Sequence, residues 1–179
     1  MTVVPLDPAS PASHAVGIDF DQTLVAHDDG WQDGRIYGKP VPGAIESLHA
    51  LKQVRSVFIM TARPRRFHAA VAGWLREHSG LETLVDEDPE RAYWQGDCLL
   101  VTNKKLGAAV YIDDRAIRFT GDWTATLAQA HHAIGLPTAG PAATVATATT
   151  ATTVTGPAAT DRPARTTPAD LARRFPDRC

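Results

Sequence analysis

Residues 15–24 of the chain read AVGIDFDQTL, in which the short apolar run 15–20 (AVGIDF) leads into two acidic residues. The run has the character of a buried β-strand, and Asp19 and Asp21 stand at its carboxyl end. On an extended segment the side chains of residues i and i+2 project to the same side, so the two carboxylates lie close together. Unpaired, they would repel each other strongly. This stretch therefore predicts that a divalent cation, or a shared proton, lies between them.

Short apolar runs and amphipathic helical patterns alternate along the first 136 residues. The further predicted strands are 57–60, 99–102 and 109–112, and the predicted helices are 43–52, 64–78 and 123–133. Apolar runs such as VFIM at 57–60 are typical of strands that are buried on both faces. The alternation predicts an α/β fold, a Rossmann-like three-layer sandwich with a central parallel sheet covered by helices.

Length and composition limit the class of protein. The chain has 179 residues and a formal net charge of -2, which disfavours a general nucleic-acid coat or a membrane-surface binder. One domain is expected over residues 1–136, followed by an Ala-, Thr- and Pro-rich disordered tail over 137–179. Two cysteines, Cys98 and Cys179, are too few for a disulfide framework, and neither a signal peptide nor a membrane-spanning run is recognised. These features predict a soluble, cytoplasmic protein.

Polar residues also follow the other predicted strands. Thr61 and Arg63 follow the second strand, and Asp113-Asp114-Arg115 follows the last one, with Lys105 eight residues before its first acid. Taken singly, each has an ordinary explanation: an acid pair that enters a loop, a helix cap at Thr61, or solvated charge at the lysine. In parallel sheets, however, ligands bind beyond the carboxyl ends of the strands. The combination therefore predicts one shared site.

These residues resemble the motifs of the haloacid dehalogenase-like (HAD) phosphohydrolase superfamily. Its first motif, DxDxT followed by an apolar residue, matches DFDQTL at 19–24, and its second matches Thr61 in FIMTAR. The third motif is a lysine, for which Lys104 and Lys105 are adjacent candidates; Lys105 is favoured by its spacing to the acid pair. The fourth motif is the acid pair in YIDD. The resemblance spans roughly residues 15–117.

The resemblance implies catalytic roles for four residues. Asp19 would be the nucleophile that forms an aspartyl-phosphate, and Asp21 would be the general acid and base. Lys105 would pair with Asp19 and the phosphoryl oxygens, and Thr61 would donate a hydrogen bond to a phosphoryl oxygen. Dehalogenases of the family lack the second acid and its transporting ATPases carry threonine there. Asp21 therefore favours a phosphatase or a phosphomutase.

The resemblance also implies a Mg²⁺ site and a set of substrate contacts. The cation would be bound by Asp19, the backbone carbonyl of Asp21 and Asp113, and Asp114 would join the coordination shell or orient a bound water. The side chains expected to bind the anionic substrate are Thr61, Arg63, Lys105 and Arg115.

The connections at 25–39 and 81–97 are too short to fold as a cap domain, so the resemblance implies a small capless enzyme. The expected function is hydrolysis of a phosphomonoester on a small molecule or nucleotide. One alternative is a nucleotide or nucleic-acid-end phosphatase, although the lack of a basic stripe disfavours long nucleic acid. Another is a non-catalytic phosphate-binding or receiver-like module. Substrate contact by Arg65 and Arg66, and assembly into an oligomer, are left open.

Overall fold

The computed structural model describes residues 7–137, which fall into two compact units. The first unit extends to Ala116 and the second begins at Ile117. We describe each unit by itself. The predicted tail at 137–179 lies outside the described residues, apart from the first of them, and the predicted domain boundary at 136 stays a prediction.

A five-stranded parallel sheet forms the first unit. Its strands are β1 (Ala15–Asp19), β2 (Ser56–Met60), β3 (Thr83–Val85), β4 (Leu99–Thr102) and β5 (Val110–Ile112). The strand order is β3-β4-β2-β1-β5, and every pairing is parallel. β1 therefore has a neighbour on each edge, β2 on one side and β5 on the other. The predicted α/β fold with a central parallel sheet is confirmed.

Two helices of the first unit agree with the predicted ones. α1 spans Ala44–Lys52 and follows Gly43, whose φ of 79° is left-handed. α2 spans His68–Ser79 and ends at Gly80, where φ is 69°. It begins later than predicted, because Pro64 is extended and a 3-10 turn over Arg65–Phe67 precedes it. The short turn Pro11–His14 leads into β1.

The two faces of the sheet bury separate apolar clusters, because side chains alternate along each strand. One cluster joins alternate residues of β1, β2 and β4 to α1 and α2 and contains Val16, Ile18, Val57, Ile59, Leu99, Val101, Leu48, Val71 and Leu75. The opposite cluster contains Ala15, Phe58 and Leu100 of the strands, covered by Trp94, Cys98 and Leu106 from connecting segments. The helices thus cover one face, and irregular chain covers the other. Within residues 7–116 no cap domain interrupts this arrangement.

The second unit contains one helix in its described part. α3 spans Trp123–Ala133, as predicted, and its first turn is capped by Asp122. The Asp122 carboxylate accepts hydrogen bonds from the backbone N–H groups of Thr124 and Ala125, which have no partner within the helix. Across residues 7–137, no helix combines the length and the apolar character needed to cross a membrane.

Gly17 lies in the middle of β1 and is packed closely by two aromatic rings. A Cβ atom at this position would lie 2.7 Å from Cζ of Phe58 and 2.8 Å from Cδ1 of Tyr111. The two rings belong to the strands on either side of β1 and pack edge to face, with centroids 6.4 Å apart. The absence of a side chain at Gly17 therefore allows the neighbouring strands to bring their aromatic residues together.

We expect Gly17→Ala to lower the free energy of unfolding by about 1–3 kcal/mol, because the added methyl group overpacks this contact. The urea midpoint at constant m-value measures the change. Gly73→Ala in α2 is the matched control, since a Cβ there meets no atom within 4 Å and alanine favours a helix by up to about 1 kcal/mol. An unchanged midpoint for Gly17→Ala would contradict the packing argument.

Candidate active site

The carboxyl ends of three neighbouring strands bring most of the predicted site residues to one edge of the sheet. Asp19 is the last residue of β1 and pairs in register with Met60, the residue before Thr61. On the other side of β1, Ile18 pairs with Ile112, the residue before Asp113. Because these three strands are parallel and adjacent, the residues that follow them lie at the same edge.

Asp19 is an acid of this edge whose pKa is strongly raised. Burial raises its pKa from 3.8 to about 6; a backbone hydrogen bond at Phe20 opposes the shift, and the negative charges of Asp113, Asp114 and Asp21 add to it. The Thr23 hydroxyl donates to Oδ2 of Asp19 at 3.3 Å. Within the described residues, Asp19 forms no salt bridge with a lysine or arginine. Its carboxylate is therefore surrounded by negative charge without a compensating cation from these residues.

The donors at this edge suit Mg²⁺, although they do not form a complete cage. No group of three or more His, Cys, Asp or Glu side chains in residues 7–137 is arranged to hold a metal. Mg²⁺ commonly keeps several waters and uses one or two carboxylates together with substrate phosphate oxygens. The uncompensated charge around Asp19 and the neighbouring Asp113 fit that type of site. In the predicted set, Asp21 contributes its backbone carbonyl, so its side chain is free for other contacts.

The Asp21 side chain is bound by Arg63. Nε of Arg63 donates to Oδ2 at 2.9 Å and Nη2 donates to Oδ1 at 2.7 Å, which makes a two-pronged charge-assisted pair. Nη1 of Arg63 donates to the carbonyl of Gly34 at 2.8 Å. The Arg63 side chain is 1% exposed and the Asp21 side chain 27% exposed. Arg63 was predicted to bind substrate; in the structure its guanidinium contacts Asp21 and the 27–37 connection.

Thr61 is buried directly after β2, and its hydroxyl oxygen accepts a hydrogen bond that stabilises a local turn. Its Oγ1 accepts a hydrogen bond from the backbone N–H of Arg63 at 3.1 Å, and its own N–H donates to the Thr102 carbonyl at 3.0 Å. It does not cap α2, which begins only at His68. Because Oγ1 acts as an acceptor in the turn, its hydrogen remains available to donate to a ligand.

The two candidate lysines take different positions, and neither contacts Asp19 among the described residues. Nζ of Lys104 lies 2.7 Å from Oδ2 of the buried Asp86, whereas Nζ of the exposed Lys105 lies 4.8 Å from the centroid of the Tyr111 ring. Lys104 also donates to the carbonyl of Asp88. Lys104 is thus bound at the end of β3, and Lys105 is the lysine on the β5 side of the sheet. The pairing of Lys105 with Asp19 stays a prediction.

Asp86 is a buried polar residue that no sequence motif indicates. It follows β3, and its oxygens accept hydrogen bonds from Arg91 and Thr102, each at 2.9 Å. Burial by itself raises the pKa of this carboxyl, but the hydrogen bonds from Lys104, Arg91 and Thr102 hold it below its ordinary value. No motif marked Asp86, because β3 is only three residues long and alternates buried and exposed side chains. The network joins the ends of β3 and β4.

His27 is a second residue that sequence patterns did not indicate. Its Nδ1 lies 3.4 Å from Oδ1 of Asp21, and its ring stacks on Tyr37 with centroids 5.5 Å apart. The Tyr37 hydroxyl in turn donates to the Gly30 carbonyl at 2.6 Å. The connection after β1 is therefore folded back against the second acid of the DxD pair.

The remaining predicted arginines lie at the surface. Arg115 is 81% exposed at its side chain; its backbone N–H donates to Oδ1 of Asp113 at 2.8 Å, and its Nε lies 3.5 Å from Oδ2 of Asp114. Arg65 and Arg66 belong to the exposed 3-10 turn, where the Arg66 guanidinium lies 4.6 Å from the centroid of the Phe67 ring. Substrate contact by Arg115 stays a prediction, and substrate contact by Arg65 and Arg66 stays open.

We expect Asp19→Asn to stabilise the protein in the absence of divalent cations, and to do so only above the acidic range. The pKa of Asp19 is raised from 3.8 to about 6 on folding, so stability falls as the pH rises through this interval. At about pH 7.5 in EDTA the variant should gain about 1–2 kcal/mol, and at about pH 4 no gain should remain. Urea unfolding at both pH values measures this difference, and an equal gain at both would contradict it.

Comparisons with known proteins give little beyond this geometry. The chain matches no protein-family model and no curated protein. It is similar to a solved structure, that of a conserved protein from Bacteroides thetaiotaomicron, with 24% sequence identity and a TM-score of 0.42. The similarity covers 68% of this chain and 92% of that chain. The comparisons show neither a family nor an activity for this chain, so any proposal of either must rest on the residues of the site itself.

Proposed function

We propose that this protein is a small capless phosphatase of the HAD-like type, which hydrolyses a phosphomonoester with Mg²⁺ through an aspartyl-phosphate on Asp19. One observation carries the proposal: Asp19 ends an interior strand, and the acid pair Asp113-Asp114 follows the neighbouring parallel strand. The charges of this pair and of Asp21 add to the raised pKa of Asp19. Four acids close to one strand end do not stabilise the fold by themselves, because the repulsion between their negative charges opposes folding. A site for a cation and a phosphate accounts for them.

In the first step, an oxygen of the Asp19 carboxylate attacks phosphorus. The new O–P bond forms as the ester P–O bond breaks, and the leaving alkoxide takes a proton from the Asp21 carboxyl group. The Thr61 hydroxyl, whose oxygen accepts from the Arg63 backbone, donates its hydrogen to a phosphoryl oxygen. The products of this step are the free alcohol and the phosphorylated Asp19.

In the second step, water attacks the phosphorus of the aspartyl-phosphate. Asp21, now ionised, accepts a proton from that water, and the bond between Asp19 and phosphorus breaks. Inorganic phosphate leaves and the Asp19 carboxylate is regenerated. Asp21 thus returns to its starting state after one turnover.

Mg²⁺ would be held by Asp19, the backbone carbonyl of Asp21 and Asp113, with Asp114 close by. When bound, it neutralises the negative charge of the phosphoryl group and of the nucleophile. Lys105 would add positive charge from the β5 side. The substrate class that we propose is a phosphorylated small molecule or a nucleotide, since the sequence has no basic stripe for long nucleic acid.

We expect the purified protein to release phosphate from p-nitrophenyl phosphate only with Mg²⁺, and EDTA or vanadate to stop the reaction. Asp19→Asn removes the nucleophile and should lower kcat by at least about 1,000-fold. Asp97→Asn is the matched control: this exposed acid lines a groove with His14 and Ser56 at the amino ends of β1 and β2, so its kcat should stay within about twofold of wild type.

A wider panel of phosphomonoesters separates the proposal from a binding role. Turnover of nucleotides well above that of sugar phosphates would favour the nucleotide phosphatase. Binding of phosphate without turnover of any ester would contradict the enzyme and favour a phosphate-binding or receiver-like module.

A further inference from the structure

Arg63 and Asp21 form an ion pair with two hydrogen bonds, at 2.9 and 2.7 Å, at the candidate site. We propose that Arg63 is a positioning residue, which holds the Asp21 carboxylate in the orientation needed to exchange a proton with the leaving group. The inference rests on the proposed phosphatase function. This role differs from the expectation that Arg63 binds the anionic substrate directly.

The surroundings of Arg63 leave it little capacity to bind an anion directly. Its side chain is 1% exposed, and Nε, Nη2 and Nη1 already donate to protein oxygens at 2.9, 2.7 and 2.8 Å. The guanidinium carbon lies 5.7 Å from the centroid of the Phe20 ring and 5.3 Å from that of Trp31. A guanidinium with its donors used in this way serves as a fixed support rather than as a free anion clamp.

Arg63 is itself held by the main chain, so it can transmit a fixed geometry. Its backbone N–H donates to Oγ1 of Thr61 at 3.1 Å, directly after β2. Its carbonyl contacts Nε2 of the buried His68 at 3.1 Å, and because a carbonyl only accepts, Nε2 is the donor. β2 and the start of α2 therefore set the position of the guanidinium.

The pairing also distinguishes the two oxygens of Asp21. Oδ1 accepts a hydrogen bond from Nη2 of Arg63 at 2.7 Å and lies 3.4 Å from Nδ1 of His27. Oδ2 accepts a hydrogen bond from Nε of Arg63 at 2.9 Å and has no further partner within residues 7–137. A carboxylate oxygen offers two lone pairs. Oδ2 therefore keeps the acceptor site at which a proton can be exchanged.

The role of a positioned acid can be measured through the leaving group. An alkoxide needs a proton to leave, whereas p-nitrophenolate leaves without one. Loss of the acid therefore slows alkyl esters selectively. The ratio of kcat/KM for the two ester classes reports this effect, and it does not depend on how much of a variant is folded, because the same active molecules act on both.

The experiment compares p-nitrophenyl phosphate with an alkyl ester such as glycerol 3-phosphate, in the full-length protein with Mg²⁺. Arg63→Lys keeps the charge but loses the two-pronged geometry. It should lower kcat/KM about 30- to 100-fold for the alkyl ester and less than about threefold for the aryl ester. Asp21→Asn should show the same selective loss, and the double variant should show no further loss.

Arg91→Lys is the matched control, because Nε of Arg91 also donates to a buried carboxylate, Asp86, at 2.9 Å. It should leave the ratio of the two esters unchanged. Equal losses on both esters, or a raised KM for both, in Arg63→Lys would overturn the proposal and favour substrate contact or a purely structural role. Additive losses in the double variant would overturn it as well. If the wild type hydrolyses neither these two esters nor any other ester of the wider panel, the phosphatase function itself fails, and the inference falls with it.

Discussion

Parallel pairing on both edges of β1 is the constraint on which the arrangement of the site depends. β2 and β5 both run parallel to β1, so Asp19, Thr61 and Asp113 end up at the same edge although they are far apart in sequence. An antiparallel neighbour would have placed its carboxyl end at the opposite edge of the sheet. The close packing of Phe58 and Tyr111 around Gly17 supports this arrangement from the middle of β1.

The acids at this edge of the sheet differ in how their charges are compensated. Arg63 compensates Asp21, and Arg91 together with Lys104 compensates Asp86. Asp19 lacks such a partner within the described residues, and its pKa is raised to about 6. An acid that is paired within the fold is held in place by its partner, whereas an unpaired acid is available for a cation and a phosphate. This contrast distinguishes the proposed nucleophile, Asp19, from the paired acids Asp21 and Asp86.

The described helices and most of the strands were predictable from residue patterns. Apolar runs such as VFIM at 57–60 predict buried strands. Gly80 marks the end of α2, because glycine readily adopts the left-handed φ of 69° found there. The start of α2 was predicted too early, since the pattern of apolar residues continues through the 3-10 turn at Arg65–Phe67. β3 was missed because three residues with an exposed Leu84 do not make a periodic pattern.

The sequence by itself determined the kinds of elements, and the DxD pair and the acid pair that follow short apolar strands, since local periodicity and residue type are written along the chain. Only the tertiary structure decided which groups meet. In the structure Arg63 pairs with Asp21, Lys104 pairs with Asp86, and Lys105 lies beside the ring of Tyr111. Such partners are set by strand order and by the burial of neighbouring charges, which act between residues distant in sequence. A spacing rule along the chain contains neither quantity, and for that reason it could name the charged residues but not their partners.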